Sequence, residues 1–221
     1  MKITELVVGA PCTIDQGLSA YFYSFHRFVG ELNSVDMRIV QSQTDSDSNV
    51  IVQRKYSLSK TFFPIWAQAL ASSGLDAVET CSANVKNRSI ISGFECPAFG
   101  NRLFVDVVTR FATAPNISNM FNLNSKELSI RKVNRTDLCD KPTVYIYKLI
   151  KITFRHFALQ NRLETYIETE ISKTWLELFR HAIDWKSEWA NLSLEDVIRN
   201  TTQLNRVHKP HLAPGQIKSR L

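Results

Sequence analysis

Glycine and proline are scarce in this chain, seven of each in 221 residues, and neither occurs between 158 and 192. That excludes a collagen-like or low-complexity chain. It also leaves no glycine-rich phosphate loop. Cysteine is as thin: Cys12, Cys81, Cys96 and Cys139 lie far apart with no C-x-x-C pair. A zinc knuckle and a disulfide scaffold are therefore set aside, and free buried thiols are expected. No stretch approaches the ~20 apolar residues of a membrane-spanning helix. Glu5 stands where a signal peptide would continue apolar, with no small-residue cleavage site after it. An intracellular protein is the expectation. The N-x-S/T sequons at Asn87, Asn116, Asn134, Asn191 and Asn200 then read as products of composition. Catalytic signatures are missing too: there is no nucleophile elbow and no His-Glu metal motif. His208 and His211 lie in a proline-bearing tail, His26 and His181 on helices. Glu164, Glu168 and Glu170, beside Arg162 and Lys173, read as a solvated helix face. The chain is expected to be no enzyme, with no metal and no cofactor.

What the chain does have is charge of one sign and a good supply of apolar residues. Its net charge is +6, and the last acid is Asp196, followed by Arg199, Arg206, Lys209, Lys218 and Arg220. Residues 206–221 are expected to form a basic tail to a single domain of 1–205. Such a tail is drawn to an anionic leaflet, each cation near the surface contributing about 1 kcal/mol. Hydrophobic residues are 44% of the chain, enough for a sizeable core.

Periodicity orders the elements. Residues 2–8 read as a strand. Thr13 and Gln16 form a capping box for a helix over 14–32 with Ile14, Leu18, Phe22, Phe25 and Val29 on one face. Two strands between 37 and 59 flank the polar loop 44–49. A short apolar helix opens at Pro64 and ends near Gly74. Strands follow at 75–83, 88–94, 102–111, more weakly at 127–133, and at 144–154. Residues 158–192 then repeat Leu159, Leu163, Ile167, Ile171, Trp175, Leu178, Ala182, Trp185 and Trp189 every three or four positions, one long amphipathic helix. Ser193 with Asp196 caps a last short helix running to about Leu204. The pattern is α+β, one sheet gripping a long helix.

Within 147–199 the residues become specific. Tyr147-Lys148-Leu149, Phe154, Leu159-Gln160-Asn161, Glu164, Arg180, Trp185, Trp189 and the run Leu192-Ser193-Leu194-Glu195-Asp196-Val197 resemble the C-terminal part of phosphatidylinositol transfer proteins. Lys55-Tyr56-Ser57-Leu58, the helix at 64–70 and Asn87-Arg88-Ser89 fall in that family's order. The resemblance implies a helix-grip (START-like) fold, a concave antiparallel sheet around long helices enclosing a lipid cavity. It implies a monomeric phospholipid carrier of the cytoplasm that touches membranes transiently and does not bind nucleic acid. One bound phospholipid is expected. A helix-grip module for a sterol or fatty acid, and a basic RNA-binding protein, are the alternatives.

Residue by residue, the resemblance implies a lipid phosphate at Lys148, Thr109 and Ser89. It places Val52, Arg54, Ser82 and Thr201 around the headgroup. Valine cannot hydrogen-bond, and the family's acidic acceptor is absent from these positions, so inositol selectivity is not expected. Arg155, His156 and Phe157 stand at the family's membrane-inserting aromatic pair, and Trp66 is a second candidate anchor.

Overall fold

A computed structural model describes residues 1–31, 35–44, 49–59, 64–67, 75–156 and 158–207, without the side chains of 30, 31, 35, 44, 67 and 201–207. Eight strands form one sheet in the order β2-β3-β4-β5-β6-β8-β1-β7. They are β1 (Lys2–Ala10), β2 (Val35–Thr44), β3 (Asn49–Leu58), β4 (Leu75–Asn84), β5 (Ser89–Glu95), β6 (Leu103–Ala112), β7 (Arg131–Asp137) and β8 (Val144–Phe154). Neighbours pair antiparallel except β1 with β7, which is parallel. Helices α1 (Ile14–Glu31) and α3 (Gln160–Asp184) pack on one face; α4 (Lys186–Trp189) and α5 (Leu194–Val207) follow α3 in the chain and pack against α1. Short α2 (Ser125–Ile130) leads into β7.

Alternation decides which side chains meet the helices. On β3, Val50, Val52, Arg54 and Tyr56 are buried; on β6, Val105, Val107, Thr109 and Phe111 are. These inward positions pack with Leu18, Tyr21, Phe22, Phe25 and Trp175 into one core. The outer face of β8 and β1 is covered as well. Ile117, Met120, Phe121 and Leu123 pack against Tyr145, Tyr147, Leu149, Ile3 and Val7. Burial on both faces explains why β8 is apolar almost throughout, a pattern alternation alone does not produce. Gly9 fits beneath this cover because a Cβ there would lie 2.5 Å from Asp137 Oδ1 and 2.7 Å from Pro142 Cγ.

The capping box forms as read: Gln16 N donates to Thr13 Oγ1 at 3.2 Å and Thr13 N to Gln16 Oε1 at 3.1 Å. Three expectations are corrected. The stretch 127–133 is not one strand. Asn124 and Glu127 form a second capping box that winds Ser125–Ile130 into α2 before β7 begins. The helix expected over 158–192 stops at Asp184, because the Trp189 indole donates at 2.7 Å to the Ala182 carbonyl, turning the chain into α4. Glu164 and Glu168 are 2% and 7% exposed rather than solvated. Glu164 accepts the Phe154 amide at 2.8 Å, and Glu168 accepts the Thr4 hydroxyl at 2.5 Å with Lys2 and Lys132 each 3.7 Å away. Of the helix at 64–70, only the turn Ile65–Ala67 lies among the described residues, and the tail from 208 onward lies outside them. No helix among the described residues is long and apolar enough to cross a membrane.

Candidate functional site

Lys148 lies at the middle of β8, opposite Thr109 of β6 and pointing toward the helices. Its Nζ donates to Thr109 Oγ1 at 2.7 Å. The Trp175 ring centroid is 3.4 Å from that nitrogen and the Tyr21 ring 5.2 Å. No acid forms an ion pair with it among the described residues. Burial strips the ammonium of water and brings its pKa down to about 7, with Glu79 pulling the other way. Cations over aromatic faces recover part of the lost hydration.

Glu79 belongs to the same interior. It stands on β4 directly opposite Arg54 of β3, and neither is more than 2% exposed. Arg54 Nη1 donates to Glu79 Oε2 at 2.8 Å, and the Tyr56 hydroxyl donates to the same oxygen. The Arg54 guanidinium rests over the rings of Phe25 and Phe22, at 4.6 and 5.7 Å. Tyr21 stacks on Trp175 at 5.1 Å and Phe25 on Trp175 at 5.3 Å. Side chains, chiefly these four aromatics, fill the interior beside Lys148, where the resemblance implied a lipid cavity. A cavity of about 20 Å³ between Tyr21, Phe179 and Trp189 has room for about one water. A groove of about 420 Å³ lies outside, over Lys2, Lys132, Gln160, Glu164 and Glu168.

The structure brings Lys148, Thr109, Arg54 and Val52 to one face. It does not bring Ser89 there. Ser89 is opposite Arg110, one step out of phase with Ile90, which faces Thr109, so its hydroxyl is on the outer side. The buried hydroxyl that β5 turns inward is Ser92, opposite Cys81. Ser82 is likewise outward, opposite Ile51 and Ile91. The Thr201 side chain lies outside the described residues. Glu79 and Tyr56 were not among the expected site residues. The signal for Glu79 was a carboxylate in the same phase of β4 as the buried Cys81 and Ala83.

The end of β8 carries a different kind of surface. Arg155 is exposed, and its guanidinium lies 5.1 Å from the ring of Phe104, itself 41% exposed. Its amide donates to the Arg102 carbonyl at 2.8 Å. Trp66 meets Tyr166 edge-on at 6.3 Å and carries Arg162 at 4.4 Å, next to Ile65, 87% exposed. His156 is half-buried and stacked on Phe154 at 5.7 Å. Phe157 lies outside the described residues.

Residues 139–205 match the family model described as phosphatidylinositol transfer protein. Phosphatidylinositol transfer protein 5 of Dictyostelium discoideum is 25% identical over 171 residues, 61% of this chain and 59% of that protein. Over that segment this chain resembles phosphatidylinositol transfer proteins. A second member of the family, phosphatidylinositol transfer protein 4 of the same organism, is 21% identical over 89% of this chain and 72% of its own length. The chain thus spans 59% of the first of these relatives. Among solved structures, TTHA0849 from Thermus thermophilus superposes with a TM-score of 0.46 and 7% identity, over 82% of this chain and 95% of that one. Lys148, Arg155 and His156 fall inside the family-matched segment; Thr109, Arg54 and Glu79 precede it.

Proposed function

We propose that this protein binds one phospholipid between its sheet and the helices α1 and α3, in a helix-grip arrangement, and carries it between membranes. The observation that carries this reading is Lys148. It is fully buried, its one hydrogen bond among the described residues is to a neutral hydroxyl, and the carboxylate nearest in effect is already paired with Arg54. A buried lysine left in that state is costly. A phosphodiester would give it an ionic partner and give Thr109 an acceptor to donate to. The acyl chains would take the apolar interior, each buried methylene contributing about 0.8 kcal/mol. The aromatic packing at Tyr21, Phe25 and Trp175 must then shift during loading.

Exchange needs a membrane-facing end, and the surface at Arg102, Phe104, Arg155, Trp66 and Arg162 suits one. Guanidiniums over the exposed Phe104 and the half-buried Trp66 match an interface of phosphates above acyl chains. Action in the cytoplasm as a monomer, with peripheral contact at membranes, completes the proposal. The test is native mass spectrometry of the protein after incubation with labelled phospholipid vesicles, followed by lipid extraction and a vesicle-to-vesicle transfer assay. One phospholipid per chain is expected in the wild type, and none in Lys148→Glu. Transfer that survives Lys148→Glu, or an extract holding a sterol or fatty acid without phosphate, would refute this reading.

A further inference from the structure

Two free thiols, Cys12 and Cys139, are brought together just past the ends of the strands they follow. Strand β1 pairs with β7 in a register that sets Gly9 opposite Asp137. The contact runs on past both strands. The Leu138 amide donates to the Gly9 carbonyl at 2.9 Å and the Thr143 amide to the Ala10 carbonyl at 3.1 Å. The Thr143 hydroxyl donates to the Cys12 carbonyl at 2.8 Å. Residues 138–143 therefore curl around residues 9–12, and Cys139 follows directly on the Gly9 contact. Neighbouring strands run ~4.8 Å apart, and a disulfide asks for α-carbons about 4.4–6.8 Å apart. Cys81 is no rival, because β5, β6 and β8 separate its strand β4 from β1. Cys96 follows β5, which β6 and β8 separate from β1.

The pair is chemically uneven. Cys12 is buried and Cys139 half-buried. Burial pushes the Cys12 thiol up to about 11, while Lys186 pulls it down and Cys139 pushes it up again. The Lys186 ammonium is fixed next to Cys12, donating to the Pro11 carbonyl at 2.5 Å. An external disulfide therefore meets the sulfur of Cys139 first, and the buried sulfur of Cys12 is placed to resolve the product.

We propose that Cys12 and Cys139 form a redox-active pair that closes into a disulfide on reaction with oxidised glutathione. The Cys139 thiolate attacks the glutathione disulfide, forming a mixed disulfide and releasing one glutathione thiolate. Cys12 then loses its proton, attacks the Cys139 sulfur and releases the second. Two protein thiols and one glutathione disulfide become one protein disulfide and two glutathiones. Lys186 supports the Cys12 thiolate in the second step. The bond ties the entry of α1, which starts at Ile14, to the turn between β7 and β8. Cys12 also lines the small cavity with Tyr21 and Phe179, so the restraint reaches the aromatic packing that shifts during loading. Oxidation therefore slows loading, a consequence that rests on the phospholipid reading proposed above.

The experiment incubates the full chain with oxidised glutathione, alkylates it without reduction, and maps the digested peptides by mass spectrometry. A peptide linked through Cys12 and Cys139 is expected, reversed by dithiothreitol and absent from Cys139→Ser. Oxidation should also raise the melting temperature by about 5–10 °C, because the bond closes a long loop of the unfolded chain. Cys12 still open to alkylation, with or without glutathione on Cys139, overturns the proposal. So does a bond from Cys12 to Cys81 or Cys96. If Cys139→Ser does not fold, the wild-type peptide map decides alone. Loading from phosphatidylcholine and phosphatidylinositol vesicles should slow by about tenfold in the oxidised protein and recover on reduction. A linked protein that loads at an unchanged rate refutes the restraint on α1. A protein that loads no phospholipid in either state refutes the phospholipid reading and leaves the thiol pair standing.

Discussion

With no carboxylate paired to it among the described residues, Lys148 couples folding, pH and loading at a single nitrogen. Its pKa falls from 10.5 to about 7 because burial removes water from the ammonium. Between those values the unfolded chain holds a proton that the folded, lipid-free protein has released. Stability of the lipid-free protein should therefore rise with pH from 7 to 9, by up to about 1.4 kcal/mol per pH unit. Melting temperatures across that window check it; a flat or falling trend would contradict the burial. Loading runs the opposite way, since a phosphate needs the charged form. Phospholipid affinity should weaken above pH 7, by up to tenfold per unit, measurable by titration with vesicles. Replacing the amine separates the two effects. Lys148→Met should raise the stability of the lipid-free protein by about 1–2 kcal/mol in urea unfolding while abolishing loading, the usual conflict between a strained site and its scaffold.

At the scale of elements, the contact of α1 with β6 is tight at one point. A Cβ on Gly17 would lie 2.8 Å from Phe111 Cδ1, and that ring is itself buried in the core. Gly17→Ala should therefore cost about 1–3 kcal/mol by denaturant unfolding, against the usual gain from placing alanine in a helix. A neutral or stabilising result would show that α1 can slide on the sheet. The elements also differ in how legible they were. The strands β1, β3, β4, β6 and β8 and helix α1 were readable because each has a period, a cap or a breaker of its own. The break between α3 and α4 was not, because its cause is a bond from Trp189 to Ala182 inside an unbroken run of helix-compatible residues. Strand β7 was misread for a related reason. All but two of its residues are exposed, so it exists through its parallel pairing with β1 rather than through an apolar phase.

For the whole molecule, one end of the sheet stands out by its charge. Arg102, Arg155 and Arg162 gather near Phe104 and Trp66, and none is in an ion pair among the described residues. Binding to anionic vesicles should fall steeply with ionic strength, because the surface Debye length shrinks from about 10 Å at 0.1 M to about 3 Å at 1 M salt. Arg155→Glu with Arg162→Glu should lower co-sedimentation with such vesicles by about tenfold or more, each reversal removing about 1 kcal/mol or more of attraction. Retention of binding by that double variant would place the membrane contact elsewhere on the protein.

The α+β class, the resemblance over 139–205 and a lysine set in an apolar strand were legible in the sequence by itself. Each rests on local information: alternation along strands, a helical period, and a contiguous motif around a lysine in an apolar strand. The partners of Lys148 depended on tertiary structure, because they come from four separate elements. Thr109 arrives through strand pairing, Trp175 from α3 and Tyr21 from α1, and the influence of Glu79 through a register that sets it opposite Arg54. Register also moved Ser89 and Ser82 to the outer face and Ser92 to the inner one, since one step along a strand reverses the side on which a side chain lies.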